Sequence, residues 1–303
     1  MKPGMHIIVA GGNGFIGSHL VPELLDDGHE VTVLARNPDT DALPAAVETV
    51  SGDITAYDSI ESAVAGHDAV VNLVALSPLF KPKGGDRMHD EVHRHGTENL
   101  VRAAEAGGVE RFVQLSALGA DPNGATAYIR AKGQAETHVT DSDLDEVLIR
   151  PSVVFGEGGE FVSFTKKLKG MFAPGVPIYP LPGGGKTRFQ PIHVDDLVGL
   201  LVETLTDDAH VGETYELGGP EKLTLREITN MVYDAEGKSV SIVSVPMALA
   251  GVGLSVGGKI PGFPMGADQY RSLQLDNTTA NNDTGVFGVE ADDLTALGDY
   301  LGV

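Results

Sequence analysis

Seven residues constrain this chain more than any others: Gly11-Gly12-Asn13-Gly14-Phe15-Ile16-Gly17, which satisfies both G-x-x-G-x-x-G and G-x-G-x-x-G spacing. The apolar run His6 to Ala10 precedes the loop, Ser18 to Asp27 follows with helical spacing, and Glu30 to Leu34 then alternates as a strand. Small residues between a strand and a helix let the backbone turn tightly and come close to a diphosphate. The helix N-terminus supplies unpaired N–H groups and the positive end of a dipole for the phosphate charge. Gly17 lets the helix pack closely on the strand. A glycine loop can also do no more than punctuate a turn, and it is the strand-helix-strand context that points to a dinucleotide.

The alternation continues with strands at Val47 to Ser51, Ala69 to Ala75, Arg111 to Ser116 and Glu146 to Val154. Between them lie helices near Tyr57 to Ala65, Arg87 to Ala106 and Ala127 to Thr140. Strands alternating with helices imply a parallel sheet with right-handed crossovers and helices on both faces. The regularity breaks at residues 156 to 186, rich in Gly, Pro and Lys, and returns with a helix at Val194 to Leu205 and a strand at Thr214 to Leu217. The expected fold is therefore α/β, a Rossmann-like doubly wound parallel sheet with a smaller C-terminal substrate lobe. Residues 1–155, with 191–219 returning, would form the dinucleotide-binding domain; 156–190 and 220–303 would form the lobe. The apolar, glycine-rich segment Val245 to Gly258 is short and lacks a basic face, which favours a buried lobe helix over a membrane-surface element.

Composition narrows the function classes. Asp and Glu number 43 against 21 Lys and Arg, a formal net charge of -22, and such a field repels nucleic acid and anionic surfaces. It also suits a protein working in concentrated salt, where screening relieves self-repulsion. The absence of cysteine excludes disulfides, thiolate catalysis and Cys-ligated metal centres. Met-Lys-Pro-Gly-Met runs into the first strand without a signal-peptide core, and no apolar run approaches the roughly 20 residues of a transmembrane helix, so a cytoplasmic protein is expected.

An NAD enzyme places an acid at the end of its second strand, against the ribose 2′-hydroxyl; here the chain reads Ala35-Arg36-Asn37. Arg36 can fork onto a 2′-phosphate and stack on adenine, which favours NADP(H) over NAD(H); a solvated loop arginine is the alternative. Asp53, past the third strand, can accept from the adenine amino group or cap a turn. Tyr128 and Lys132 stand four apart on one helix face, where an ammonium lowers a phenol pKa and fits it for proton transfer; Tyr-x-x-x-Lys also arises as an ordinary surface pair. His89, His93 and His95 invite a metal reading, since His89 and His93 stand at i, i+4, yet no carboxylate pattern completes a metal site. His193, Asp195 and Asp196 read as a turn and N-cap entering a helix.

Together these features resemble the extended, epimerase/dehydratase-like form of the short-chain dehydrogenase/reductase superfamily. Arg150-Pro151-Ser152-Val153-Val154-Phe155-Gly156 is similar to the family segment bordering the nicotinamide, and Pro191 to Asp196 to its return from the substrate lobe. Within the superfamily the chain resembles the atypical group of the nucleotide-binding accessory subunit of respiratory complex I and its prokaryotic relatives. Leu115 to Pro122, Tyr128 to Lys132 and Pro264 to Asn277 carry that likeness.

The resemblance implies cofactor contacts from Gly11, Asn13, Gly14, Phe15, Ile16, Gly17, Arg36, Asn37, Asp53, Ile54, Val74, Ala75, Lys132, Pro151 and Val153. It implies catalysis by Tyr128, Lys132 and Ser116, no metal, and His93 where the family has an asparagine facing the nicotinamide. One position departs: Ser116 matches the first place of the family's Ser-rich run, but the third, usually Ser or Thr, is Leu118. Leucine donates no hydrogen bond, so either Ser116 substitutes or the set is incomplete. Two functions follow: an NADP(H)-dependent oxidoreductase, or an epimerase with retained cofactor, on a carbonyl or sugar-like small molecule; or a non-catalytic dinucleotide-binding accessory or assembly protein associated with a respiratory NADH dehydrogenase complex.

Overall fold

A computed structural model of the protein describes residues 4–173, 175–176, 178–257 and 265–303. Met1 to Pro3, Gly258 and Pro264, which bounded segments read above, lie outside the described residues. Strand β1 (His6–Ala10) leads into helix α1 (Phe15–Asp26), then β2 (Glu30–Ala35), β3 (Glu48–Ser51), the short helix α2 (Glu61–Val64) and β4 (Ala69–Asn72). A helical stretch follows, α-helical at α3 (Arg87–His89), π-helical over Asp90–His95 and α-helical again at α4 (Gly96–Gly107). Next come β5 (Arg111–Leu115), α5 (Ala127–Thr140) and β6 (Asp145–Pro151).

The chain continues through β7 (Val154–Phe155), α6 (Phe161–Phe172), β8 (Ile178–Pro182), β9 (Arg188–Phe189) and β10 (Ile192–His193) to α7 (Val194–Thr206) and β11 (Thr214–Leu217). It ends with β12 (Leu223–Thr224), α8 (Leu225–Asp234), β13 (Ser241–Val245), α9 (Met247–Gly257), α10 (Ala267–Ser272) and α11 (Leu297–Leu301).

Seven strands form one sheet in the order β11-β6-β5-β4-β1-β2-β3, with parallel pairing from β6 through to β3. This is the Rossmann-like α/β sheet the alternation implies. Ile7, Ile8 and Val9 of β1 and Val70 and Val71 of β4 are fully buried, as strands covered on both faces require. The core on one side gathers Ile8, Ile54, Ile60, Val70, Leu100, Phe112 and Leu148. Sequence order reverses between β1 and β4, so their carboxyl ends flank the crevice where such sheets take ligands.

Polar groups set limits that periodicity did not foresee. β4 stops at Asn72 rather than running on to Ala75. The Asn72 amide donates to Thr97 Oγ1 and Gln114 Oε1, and its Oδ1 accepts from the Val74 N–H, which turns the chain out of the sheet. β6 likewise ends at Pro151, and Val154–Phe155 pairs instead with Ile192–His193.

The chain divides into two compact units. The first is Met1–Leu76, Gly84–Pro151 and Val194–Glu216; the second is Ser77–Lys83, Ser152–His193 and Leu217–Val303, so the chain passes between them five times. The second unit has small cores of its own. Phe164, Leu168, Tyr179, Leu181, Leu225, Leu254 and Met265 form one, and Phe155, Phe161, Ile228, Val232 and Leu297 another. β13 pairs in parallel with β8. The segment expected as a buried helix is helical but only half covered. Leu254 of α9 is 3% exposed, whereas Leu249 and Val252 are 66% and 64% exposed, because a helix apolar all round has only one face against the core.

Candidate functional site

The glycine loop follows β1 at the carboxyl edge of the sheet. The Gly11 N–H donates to the Leu34 carbonyl at 2.8 Å and the Gly14 N–H to the Gly11 carbonyl at 2.9 Å, which tightens the turn. A Cβ on Gly17 would stand 2.5 Å from Gly12 Cα, so the helix meets the loop as closely as only glycine permits. α1 starts at Phe15 with Gly14 as N-cap and no capping side chain. The N–H groups of Phe15, Ile16 and Gly17, which a helix cannot satisfy internally, therefore have no side-chain cap. An uncapped 12-residue helix behind a glycine turn fits the diphosphate of a dinucleotide.

The neighbouring strand ends supply the remaining wall. Asn13 Nδ2 donates to the Asn37 carbonyl at 3.2 Å, and Ser51 Oγ to the Arg36 carbonyl at 3.0 Å, so the loops after β1, β2 and β3 are tied together. Arg36 is exposed, and its guanidinium makes no ion pair among the described residues. Asp53 is held locally: its Oδ1 accepts from the Thr55 N–H at 3.0 Å and the Thr55 hydroxyl at 2.8 Å. Ile54 is buried, and its carbonyl accepts from Asn99 at 2.8 Å. Val74 packs at Gly11, while Ala75 is exposed. Pro151 closes β6 with its carbonyl accepting from the Leu118 N–H at 3.1 Å. Val153 belongs to the second unit, where its N–H donates to Asn277 Oδ1 at 2.8 Å.

α5 carries the Tyr128 and Lys132 pair. Thr126 caps it by accepting from the Ile129 N–H at 3.2 Å. Lys132 is 2% exposed, and its ammonium donates to the Leu115 carbonyl at 2.8 Å, at the end of β5 and one residue before Ser116. Burial brings the Lys132 pKa down to about 8, against the opposing pull of Glu136, whose carboxylate is gripped by both arms of Arg150. Burial also raises the Tyr128 phenol above the ordinary range, so it is protonated at neutral pH. Ser116 is buried, and its Oγ has no hydrogen-bond partner among the described residues, an exposed debt for a hydroxyl that could be met by a bound oxygen. Leu118 is buried beside it in sequence and offers only its backbone.

His89 and His93, set aside above only as metal ligands, line Tyr128. The His89 and His93 rings lie 5.5 and 5.3 Å from its ring, both edge-on, and stack on each other at 5.5 Å. His93 Nε2 accepts from the Leu76 N–H at 3.4 Å, which leaves its proton on Nδ1, a buried atom with no acceptor among the described residues. Burial, then the charges of Lys132 and His89, hold the His93 pKa well below its usual value, and the ring is neutral. The π-helical turn delivers this pair, as single π turns often do at functional sites. His95 turns instead to Glu98, with Nδ1 3.3 Å from Oε2. Asn72 and Gln114, buried amides in apolar strands, were also unmarked; their signal was a lone amide closing β4 and another inside β5. His193 packs between Phe155 and Tyr300, and Asp195, in the first turn of α7, pairs with His19 at 2.7 Å.

A family model described as NAD(P)H-binding matches residues 11–171, from the glycine loop through α6. The chain belongs to this NAD(P)H-binding family. Its relatives place it with short-chain dehydrogenase/reductase proteins of the epimerase/dehydratase type. It is 28% identical over 298 residues to the Arabidopsis thaliana NADH dehydrogenase [ubiquinone] 1 alpha subcomplex subunit 9, mitochondrial, covering 92% of this chain and 72% of that one. It is 28% identical over 270 residues to a 3-beta-hydroxysteroid dehydrogenase of Mycolicibacterium neoaurum, covering 79% and 72%. A dTDP-glucose 4,6-dehydratase from Streptomyces venezuelae, solved with NAD bound, superposes with a TM-score of 0.67 at 25% identity, covering 80% of this chain and 84% of that one. Among the described residues no helix is long and apolar enough to cross a membrane.

Proposed function

We propose that this NAD(P)H-binding protein is an NADP(H)-dependent oxidoreductase that reduces the carbonyl of a small molecule, with the second unit supplying substrate specificity. The observation that carries the reading is the 2.8 Å bond from Lys132 to the Leu115 carbonyl. It seats the functional face of α5 on the end of β5, beside Ser116 and along the same sheet edge as the dinucleotide loop. NADPH, when bound, supplies the hydride. Tyr128, protonated at neutral pH, gives its phenolic proton to the carbonyl oxygen as the carbonyl carbon is reduced, and regains a proton from solvent. Ser116 Oγ donates to the same oxygen. Arg36, exposed at the end of β2, pairs with the 2′-phosphate.

Leu118 favours a second reading, in which the dinucleotide is a structural or redox-sensing ligand of a protein attached to a respiratory complex. The similarity to a named subunit of such a complex supports it. The two separate in one experiment with the purified chain. NADPH fluorescence measures binding, and NADPH oxidation is then followed against aldehydes, quinones and nucleotide sugars. The first reading expects turnover that Tyr128→Phe abolishes and Ser116→Ala lowers, with binding retained in both. Tight binding without turnover in any class selects the second.

A further inference from the structure

The acidity of this chain is not shared evenly. The second unit holds twelve of the 21 Lys and Arg residues but only thirteen of the 43 Asp and Glu residues, so nearly all of the net charge of -22 lies in the first unit. Within the second unit the charges separate again. Residues 161–193 carry Lys166, Lys167, Lys169, Lys186 and Arg188 and no carboxylate, and Ser77–Lys83 carries Lys81 and Lys83 with none. From Ser239 to Gly258 no residue is charged at all.

These three segments share one small core. Phe164 and Leu168 of α6, Tyr179 and Leu181 of β8 and Leu254 of α9 are buried together, with Leu79 and Phe80 packed against them. Leu168 and Leu254 also line one apolar cavity, so α6 and α9 are neighbours. Phe80 meets Phe164 at 5.3 Å, and the Lys167 ammonium lies 5.5 Å from the Phe80 ring centre. Leu225 of α8 and Met265 complete this core, and Glu236 and Asp276 neutralise Lys166 and Arg188, which leaves Lys167 and Lys169 as the cations of α6 without an ion pair among the described residues. Leu249 and Val252 of α9, Val243 of β13, and Val176 and Ile178 at β8 are all exposed, and Lys167 is exposed on α6.

An apolar helix face left open in an acidic protein marks an interaction surface. Its neighbours name the partner. A second copy would bring lysines against lysines, and nucleic acid would call for aromatic stacking surfaces where this face offers aliphatic ones. Aliphatic side chains amid lysines suit acyl chains beneath negative headgroups. We infer that the second unit docks on the surface of an anionic phospholipid bilayer, with Leu249 and Val252 entering the interface and Lys167 and Lys169 of α6 contacting headgroups. The carboxylates of the first unit oppose this attraction at low salt, and added salt shortens the reach of their repulsion.

Flotation of the full chain with vesicles tests it, using phosphatidylglycerol mixed with phosphatidylcholine, or phosphatidylcholine alone, at moderate salt. The chain is expected to float with the anionic vesicles and not with the neutral ones. Leu249→Ser with Val252→Ser, and separately Lys167→Glu with Lys169→Glu, should each reduce the bound fraction about tenfold while circular dichroism melting and NADPH binding stay unchanged. Absence of wild-type flotation with anionic vesicles overturns the inference, as does flotation that neither pair alters. So does a dimer in light scattering that the serine pair dissociates, since the face would then be covered by a second copy.

Discussion

Lys132 and Arg36 show how position decides what a cation does. Lys132 is buried with its pKa near 8, below that of an unfolded lysine, so between the two values the unfolded chain holds a proton that the folded chain has released. The contribution of Lys132 to stability must then be flat below about pH 8 and rise as pH climbs toward the unfolded lysine value of about 10.4. Urea unfolding at pH 7.5 and 9.5 should show a gain of about 2 kcal/mol, absent in Lys132→Met; an equal gain in that variant would assign it elsewhere. Arg36 is the opposite case, an exposed guanidinium with its charge still to be used. Arg36→Asp is expected to weaken NADPH binding about tenfold or more and to move preference toward NADH, which titration with both nucleotides measures. Unchanged preference would remove Arg36 from the 2′-phosphate site.

At the scale of elements, α5 is the piece on which the proposed chemistry turns, and its place depends on a close approach. A Cβ on Gly133 would stand 2.3 Å from the backbone of Asp121. Gly133→Ala should therefore displace the helix carrying Tyr128 and Lys132, costing about 2–4 kcal/mol by overpacking and lowering turnover beyond any loss of NADPH affinity. A variant with wild-type melting and wild-type turnover would contradict this. The limits of α5 were legible in the sequence, since Thr126 announces its cap, and so were β1 and the glycine loop, whose apolar run and small residues leave little choice. The end of β4 was not, because it depends on an amide side chain finding Thr97 and Gln114 across the fold. Nor were His89 and His93 legible as the wall of Tyr128. The i, i+4 spacing puts them on one face, but only a π-helical turn and the packing of α5 against it bring the rings together.

Over the whole molecule the dominant physical fact is charge. With a net charge of -22 concentrated in the first unit, carboxylates there repel one another at low salt, and screening relieves them. The melting temperature should rise by about 5–10 °C between 0.1 and 2 M KCl, and binding of the anionic NADPH should tighten over the same range. Calorimetry in both salts checks each, and a falling melting temperature would show that self-repulsion is not limiting. Residues 156 to 186 stand out in the sequence as Lys-rich, but what surrounds those lysines depends on which residues fold together. Five passages of the chain between the two units have a historical corollary. A module encoded in one stretch of gene can be traded whole between proteins, but a body assembled from three separate stretches cannot. Descendants of such a chain acquire new specificities by point changes and loop insertions made in place, so kinship with its relatives should run the full length of the coding sequence instead of stopping at a domain border.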